Sequence, residues 1–309
     1  MFLVCGEALF DFFTQPDTGH PARVDFHAVA GGSPYNVAIG LARLGVPSAL
    51  LAGLSNDYLG QRLASLLDAE GVNPGYLQRF DAPTTLAMVA VGADGSPQYS
   101  FRGEGCADRQ ISPATLPALG DDVRGLHLGS FSLVVEPIAS ALLALVEREQ
   151  GRRLISLDPN VRLNPAPDIN AWRARIETLA ARAHLIKVSD EDLGLLYPGE
   201  APAAIAQRWL GERCAAVFVT HGGEGAEVFT GQHHVREAAQ AVKVADTVGA
   251  GDTFQAALLA WLSEQQLDTP HALQQLHEGQ LRQLLQFCIR AAALTCTRTG
   301  PDLPRRAEL

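Results

Sequence analysis

Residues 246–262 read DTVGAGDTFQAALLAWL. Gly249, Ala250 and Gly251 carry no bulky side chain, and the apolar run TFQAALLAWL behind them has the spacing of a buried helix. A helix start leaves its first backbone N–H groups unpaired, so a glycine-rich turn leading into one cradles an anion, phosphate above all. No GK[ST] follows, and the glycine spacing does not fit GxGxxG, so neither of those nucleotide loops is present. Asp252 closes the turn instead. A carboxylate beside an anion cradle makes electrostatic sense if it handles a hydroxyl, aligning an alcohol and accepting its proton as a phosphoryl group moves onto it. The helix terminus would favour its ionised form. Aspartate is also a good helix cap, and the local sequence leaves that role open.

Outward from this turn, short β-branched and apolar runs alternate with amphipathic ones. FLVC (2–5), SALLAGL (48–54), GLHLGS (125–130), RLISLD (153–158), HLIKVS (184–189) and AAVFVT (215–220) read as buried strands. DYLGQRLASLLDAEGV (57–72) and PIASALLALVEREQ (137–150) read as helices. The alternation predicts βαβ units, a mostly parallel sheet between helices, and a ligand site beyond the carboxyl ends of the strands. Two stretches break it. Residues 84–105 hold two strand-like runs around Asp94-Gly95, a hairpin signal, and residues 11–32 are rich in turn formers. Together they predict a small antiparallel lid, discontinuous in sequence, on a single catalytic domain spanning 1–309.

The 309 residues are 47% hydrophobic and 19% charged, with a net charge of −10. That balance argues against nucleic acid and anionic membranes as partners, since both are bound through basic patches. The opening MFLVCGEALFDFF lacks the basic region of a signal peptide, and no apolar run reaches the ~20 residues of a membrane span. A cytoplasmic protein is the expectation. Five scattered cysteines without a CxxC pair predict buried thiols rather than disulfides or a zinc site. The nine histidines suggest no ligand cluster. His127, inside an apolar strand, reads as a satisfied core histidine, and His233-His234 as part of a turn.

DTVGAGDTFQAALL resembles the carboxyl-terminal signature of the ribokinase-like, PfkB family of carbohydrate kinases, and AGGSPYNVAIGLARLG (30–45) resembles its amino-terminal signature, in the expected order. GEALFDF (6–12), FRGEGCADRQI (101–111), DPNVR (158–162), IKVSDEDL (186–193) and CTRTGPDLPRRAEL (296–309) are similar to the fructokinase branch. The resemblance implies a three-layer α/β fold with a β-sheet lid that pairs two subunits as a homodimer. It implies transfer of a phosphoryl group from Mg²⁺-ATP to a small neutral sugar, D-fructose giving fructose 6-phosphate. It assigns the base role to Asp252, the transferred phosphoryl to the amides of Gly249, Ala250 and Gly251, and the sugar to Asp11, Gly32 and Asn36. Ser33 and Pro34 also read as the N-cap and first residue of a helix.

VTHGGEG (219–225) resembles the family's ATP segment, pointing to Thr220, Gly222 and Gly225. Arg162 and Lys187 match basic positions, one toward substrate and one toward phosphate. Ser189-Asp190-Glu191-Asp192 stands where ribokinases carry NxxE, which gives Ser189 a place near the nucleotide and Asp192 a water-mediated contact to magnesium, with a side chain shorter than glutamate. The resemblance also allows a monovalent cation such as K⁺ beside Asp246 and Thr247. Two alternatives share the fold: a 2-keto-3-deoxygluconate kinase, whose substrate carboxylate Arg102 or Arg162 could meet, and a ribokinase. A non-catalytic sugar or nucleotide sensor is the alternative of a different class.

Overall fold

The computed structural model describes residues 1–15, 22–91 and 97–309. In chain order the first half runs β1 (Phe2–Cys5), β2 (Leu9–Thr14), β3 (Phe26–Gly31), α1 (Ser33–Arg43), β4 (Ser48–Leu51), β5 (Gly53–Ser55), α2 (Tyr58–Ala69), β6 (Gln78–Phe80), β7 (Leu86–Val91) and β8 (Pro97–Arg102). Then come β9 (Gly125–Gly129), α3 (Ile138–Glu149), β10 (Leu154–Asp158), α4 (Ile169–Ala180), β11 (Leu185–Ser189), α5 (Asp190–Leu196) and α6 (Pro202–Trp209). The chain continues with β12 (Ala216–Thr220), β13 (Ala226–Thr230), β14 (His234–Glu237), α7 (Ala250–Glu264), α8 (Pro270–Leu273) and α9 (Glu278–Cys296).

Eight strands form the main sheet in the order β14-β13-β12-β11-β10-β9-β1-β4. β4 through β12 pair in parallel, and β13 and β14 close one edge antiparallel. β1 shows why the sheet is sandwiched. Phe2 and Val4 enter one apolar core with α1, α2, α7 and α9, while Leu3 and Cys5 enter the other with α3, α4, α5 and α6. All four residues are fully buried, as expected for strands covered on both faces. The chain leaves β1 for β4 on one side and later returns to β9 on the other, so the strand order reverses between β1 and β9. Crevices at such reversals, beyond the carboxyl ends of the strands, are where ligands of open α/β sheets bind.

A second sheet, β3-β2-β7-β8, stands over that end. β2 pairs antiparallel with β3 and parallel with β7, and β7 pairs antiparallel with β8. The Asp94-Gly95 turn expected to join β7 and β8 lies outside the described residues. The run 48–54 divides into β4 and β5, because β5 turns away to pair with β6 in a separate two-stranded ribbon. Among the described residues no helix is long and apolar enough to cross a membrane. Four of the five cysteines are buried, but Cys296 is partly exposed at the end of α9. His127 is half satisfied: its Nδ1 lies 3.1 Å from Ser156 Oγ while Nε2 has no partner, and burial pushes its pKa down to about 3. His233 lies in the turn, and His234 is already the first residue of β14.

Candidate active site

Asp252 lies in the first turn of α7, 8% exposed. Its Oδ1 accepts from Ser33 Oγ at 2.7 Å and its Oδ2 from Asn36 Nδ2 at 2.8 Å, both on α1. Gly249 holds the cap position of α7 in the left-handed conformation, without a side-chain cap. The carboxylate is thus committed across the cleft to another helix rather than to its own helix end, which disposes of the capping role. Burial raises its pKa from the ordinary value against the pull of Asn36, Ser33, Lys187 and Arg162, so desolvation outweighs the stabilisation expected from the helix terminus.

Contrary to the expectation from the sequence, Ser33 is not the cap of α1, and it is free to reach Asp252. Gly32 occupies that position at φ +105°, with Ser33 first in the helix and Pro34 second. A Cβ on Gly32 would come 2.9 Å from the carbonyl oxygen of Glu7. Gly31 has a parallel role: a Cβ there would meet Asp11 Oδ2 at 2.4 Å, so the glycine leaves room for that carboxylate. Asp11, half-buried on β2, has its pKa raised to about 6 by burial, with Arg162 opposing the shift and Asp252 adding to it.

The anion turn has a mixed set of donors. Ala250 N–H is spent on Thr247 O at 3.2 Å, while the amides of Gly251 and Asp252 have no acceptor among the described residues. Gly249 sits at φ +81°, and a Cβ on it would lie 2.8 Å from Pro301 Cβ. Gly249→Ala therefore combines backbone strain of roughly 1–3 kcal/mol with a clash at the turn itself. The expected result is a lower Tm together with a lower kcat, measured by calorimetry and steady-state turnover.

Lys187 lies beneath the turn. Its Nζ pairs with Asp158 Oδ2 at 2.9 Å, and a Cβ on Gly251 would stand 3.2 Å from it. Lys187 and Asp158 are 4% and 1% exposed, and Asp158 Oδ1 has no partner. Ser189 caps α5 by accepting from Asp192 N–H at 3.0 Å, and Asp192 Oδ1 accepts from Val161 N–H at 3.0 Å. Those two residues hold the β10 and β11 loops together and line neither cavity described below; Glu191 does. Asp246 accepts from Val248 N–H at 3.1 Å and Gly300 N–H at 2.9 Å, so its carboxylate shapes the turn.

Two cavities meet at this turn. One of ≈ 630 Å³ lies under the four-stranded sheet and gathers Asp11, Gly32, Asn36, Arg162 and Asp252. The other, ≈ 240 Å³, is walled by Thr220, Gly222, Gly225, Phe254, Ile289 and Ala292. Thr247 and Gly251 line both. Asp158 and Asn160 of DPNVR, Glu7 of GEALFDF and Phe101 of FRGEG belong to this region but had no role in the sequence reading, although each lies in a quoted motif. Ser130, the last residue of the GLHLGS run, lies one position past β9, and neither it nor Phe131 carried a functional signal, because their place depends on a backbone turn.

A cavity that sets charged side chains against an apolar wall and a second, mostly apolar one, joined at a helix start with free amides and a fixed carboxylate, have the layout of a small-molecule kinase. Residues 2–307 match the pfkB family carbohydrate kinase model, and the chain belongs to that family of sugar kinases. It is 39% identical over 282 residues to a fructokinase of Rhizobium leguminosarum bv. trifolii, covering 91% of this chain and 86% of the relative. The fructokinase of Xylella fastidiosa with bound ATP superposes with a TM-score of 0.88 at 28% identity, covering 99% of this chain and 96% of that one. A double mutant of the Vibrio cholerae O395 fructokinase, solved with fructose, ADP and potassium ion, gives 0.83 at 25% identity over 99% and 96%.

Proposed function

We propose that the protein transfers the γ-phosphoryl group of Mg²⁺-ATP to the 6-hydroxyl of D-fructose, giving fructose 6-phosphate. The observation that carries the reading is the position of Asp252, fixed by Ser33 and Asn36 where the two cavities join. ATP takes the apolar cavity for its base, and its phosphates lie along the Thr247–Gly251 turn. The sugar takes the larger cavity, with Asp11 and Asn36 meeting its hydroxyls. Asp252 orients the acceptor hydroxyl and takes its proton, and the raised pKa suits it to that task. The free amides of Gly251 and Asp252, with Lys187 beneath, meet the charge on the phosphoryl group in transit.

Magnesium bound with the nucleotide would neutralise phosphate charge. Among the described residues no group of three or more acidic, histidine or cysteine side chains could hold a metal. The unpartnered Oδ1 of Asp158 fits that arrangement as a nearby acceptor for a metal carried mainly by phosphate. The four-stranded sheet acts as a lid that excludes water from the reaction. The exposed Val24 and Phe26 at its β3 edge suit pairing with a second copy.

The deciding experiment measures coupled ADP release with fructose, ribose, 2-keto-3-deoxygluconate and a nucleoside as acceptors. Highest kcat/KM on fructose is expected. Another best substrate overturns the fructose assignment, and no turnover on any overturns the enzyme.

Asp11 gives a pH signature. Its charged form accepts from sugar hydroxyls, so the sugar KM should rise as pH falls through about 6. Asp11→Asn should show a raised KM without that pH dependence. The stability sign is opposite. A pKa raised on folding means the folded chain holds the proton longer, so the stability from Asp11 is present below the ordinary carboxylate range and lost as pH rises through about 6. The Asn variant should therefore gain stability relative to wild type on going from pH 4 to pH 7, read from urea midpoints.

A further inference from the structure

Three described residues other than glycine have positive φ, and two of them, Ser130 (φ 61°) and Asn160 (φ 41°), line the larger cavity. Asparagine tolerates the left-handed region. Ser130 does not have that excuse, because its ψ of −162° puts it in a region otherwise reserved to glycine. It follows Gly129 at the end of β9, directly across the strand-order reversal from Glu7, which follows β1. Glu7, 1% exposed, accepts from Ser132 Oγ at 2.5 Å, and the nearby Ser130 hydroxyl also favours its charged form.

The turn at Ser130 has a visible result. Leu133 N–H donates to Ser130 O at 3.1 Å, opening a single 3₁₀ turn over Phe131–Leu133. The Phe131 ring then meets Phe101 of β8 edge to face, 5.3 Å between centroids at 78°. Arg109 sits 5.7 Å from the centroid of each ring. Phe131 belongs to the main sheet's end and Phe101 to the sheet above, and both line the cavity. They form an aromatic wall that joins floor to roof, suited to the C–H face of a sugar while polar groups opposite fix its hydroxyls.

We propose that Ser130, which stands beside the Glu7 carboxylate, is a positioning residue for the sugar: its glycine-like backbone aims Phe131 at Phe101 and so shapes the apolar wall of the acceptor site. A glycine would adopt this conformation without strain, so serine is kept here for its hydroxyl at a cost in stability. The inference rests on the larger cavity being the sugar site.

Ser130→Gly and Ser130→Ala separate the two effects. Both lose the hydroxyl, and only glycine relieves the strain, so the Gly variant should have the higher Tm, the reverse of the usual order. In both, the sugar KM should rise ~10-fold, the scale of one lost hydrogen bond, with the ATP KM within about twofold of wild type. An Ala variant at least as stable as the Gly variant overturns the strained backbone. An unchanged sugar KM in both, or equal shifts in the two KM values, overturns the positioning role. Wild-type turnover with unaffected variants sinks this inference alone, whereas a wild-type chain without sugar turnover sinks the functional reading and this inference with it.

Discussion

Asp252→Asn is expected to lower kcat by ~10²-fold or more while leaving the KM for ATP nearly unchanged, in line with the usual size of a general-base contribution. The substitution is a clean one here. The amide side chain that replaces the carboxylate can present its carbonyl to Asn36 Nδ2 and its NH₂ to Ser33 Oγ, whose hydroxyl accepts as well as donates, so both cross-helix contacts survive. Only the ability to take a proton is lost. A second readout follows from burial: the folded protein raises the Asp252 pKa, so its charge is a burden on the fold at neutral pH. The Asn variant should be at least as stable as wild type in urea unfolding at pH 7. Turnover near wild type would remove Asp252 from the chemistry. A marked loss of stability would mean that the carboxylate serves the fold.

Lys187→Met is expected to cost stability more than any other single change at the site, about 3–5 kcal/mol, the scale for stripping one partner from a buried ion pair. Asp158 already has one oxygen without a partner, and losing Nζ would leave both uncompensated inside the protein. The variant should show a lower urea midpoint at unchanged m-value. Adding Asp158→Asn should recover much of the loss, because the double variant has no orphaned charge. Lost catalysis should not return, since the ammonium against Gly251 is absent in both. An additive double variant would mean that the two residues do not act as a pair.

The parallel strands were readable because each is a short apolar run bounded by turn formers, and burial on both faces needs no alternation to be recognised. The carboxyl-terminal motif was readable in the same way, since its glycines have no bland explanation. What could not be read were the partnerships. Whether Asp252 caps its own helix or reaches another depends on 219 residues of separation from Ser33. Ser33 looked like a cap because serine before proline usually is one, and only the positive φ at Gly32 displaces it. Asp192 stands where a metal-linked residue was expected, and its sequence does not show that one of its oxygens accepts a backbone N–H from the neighbouring loop. Ser130 gave no warning at all, as a strained serine has the same letter as a relaxed one.

The end of α9 and the segment after it have a temporal meaning. Cys296 O accepts from the amides of Ala245 and Asp246, Gly300 N–H reaches Asp246, Pro301 packs beside Gly249, and Leu303 packs beside Gly40 of α1. The Thr247–Gly251 turn is therefore braced by residues made some fifty positions later than itself. During synthesis the parallel strands can pair while the turn still lacks its brace and the smaller cavity still lacks its α9 wall, so the site is complete only once residues through 303 have been made. A nascent chain would pair its central strands before it had a complete site.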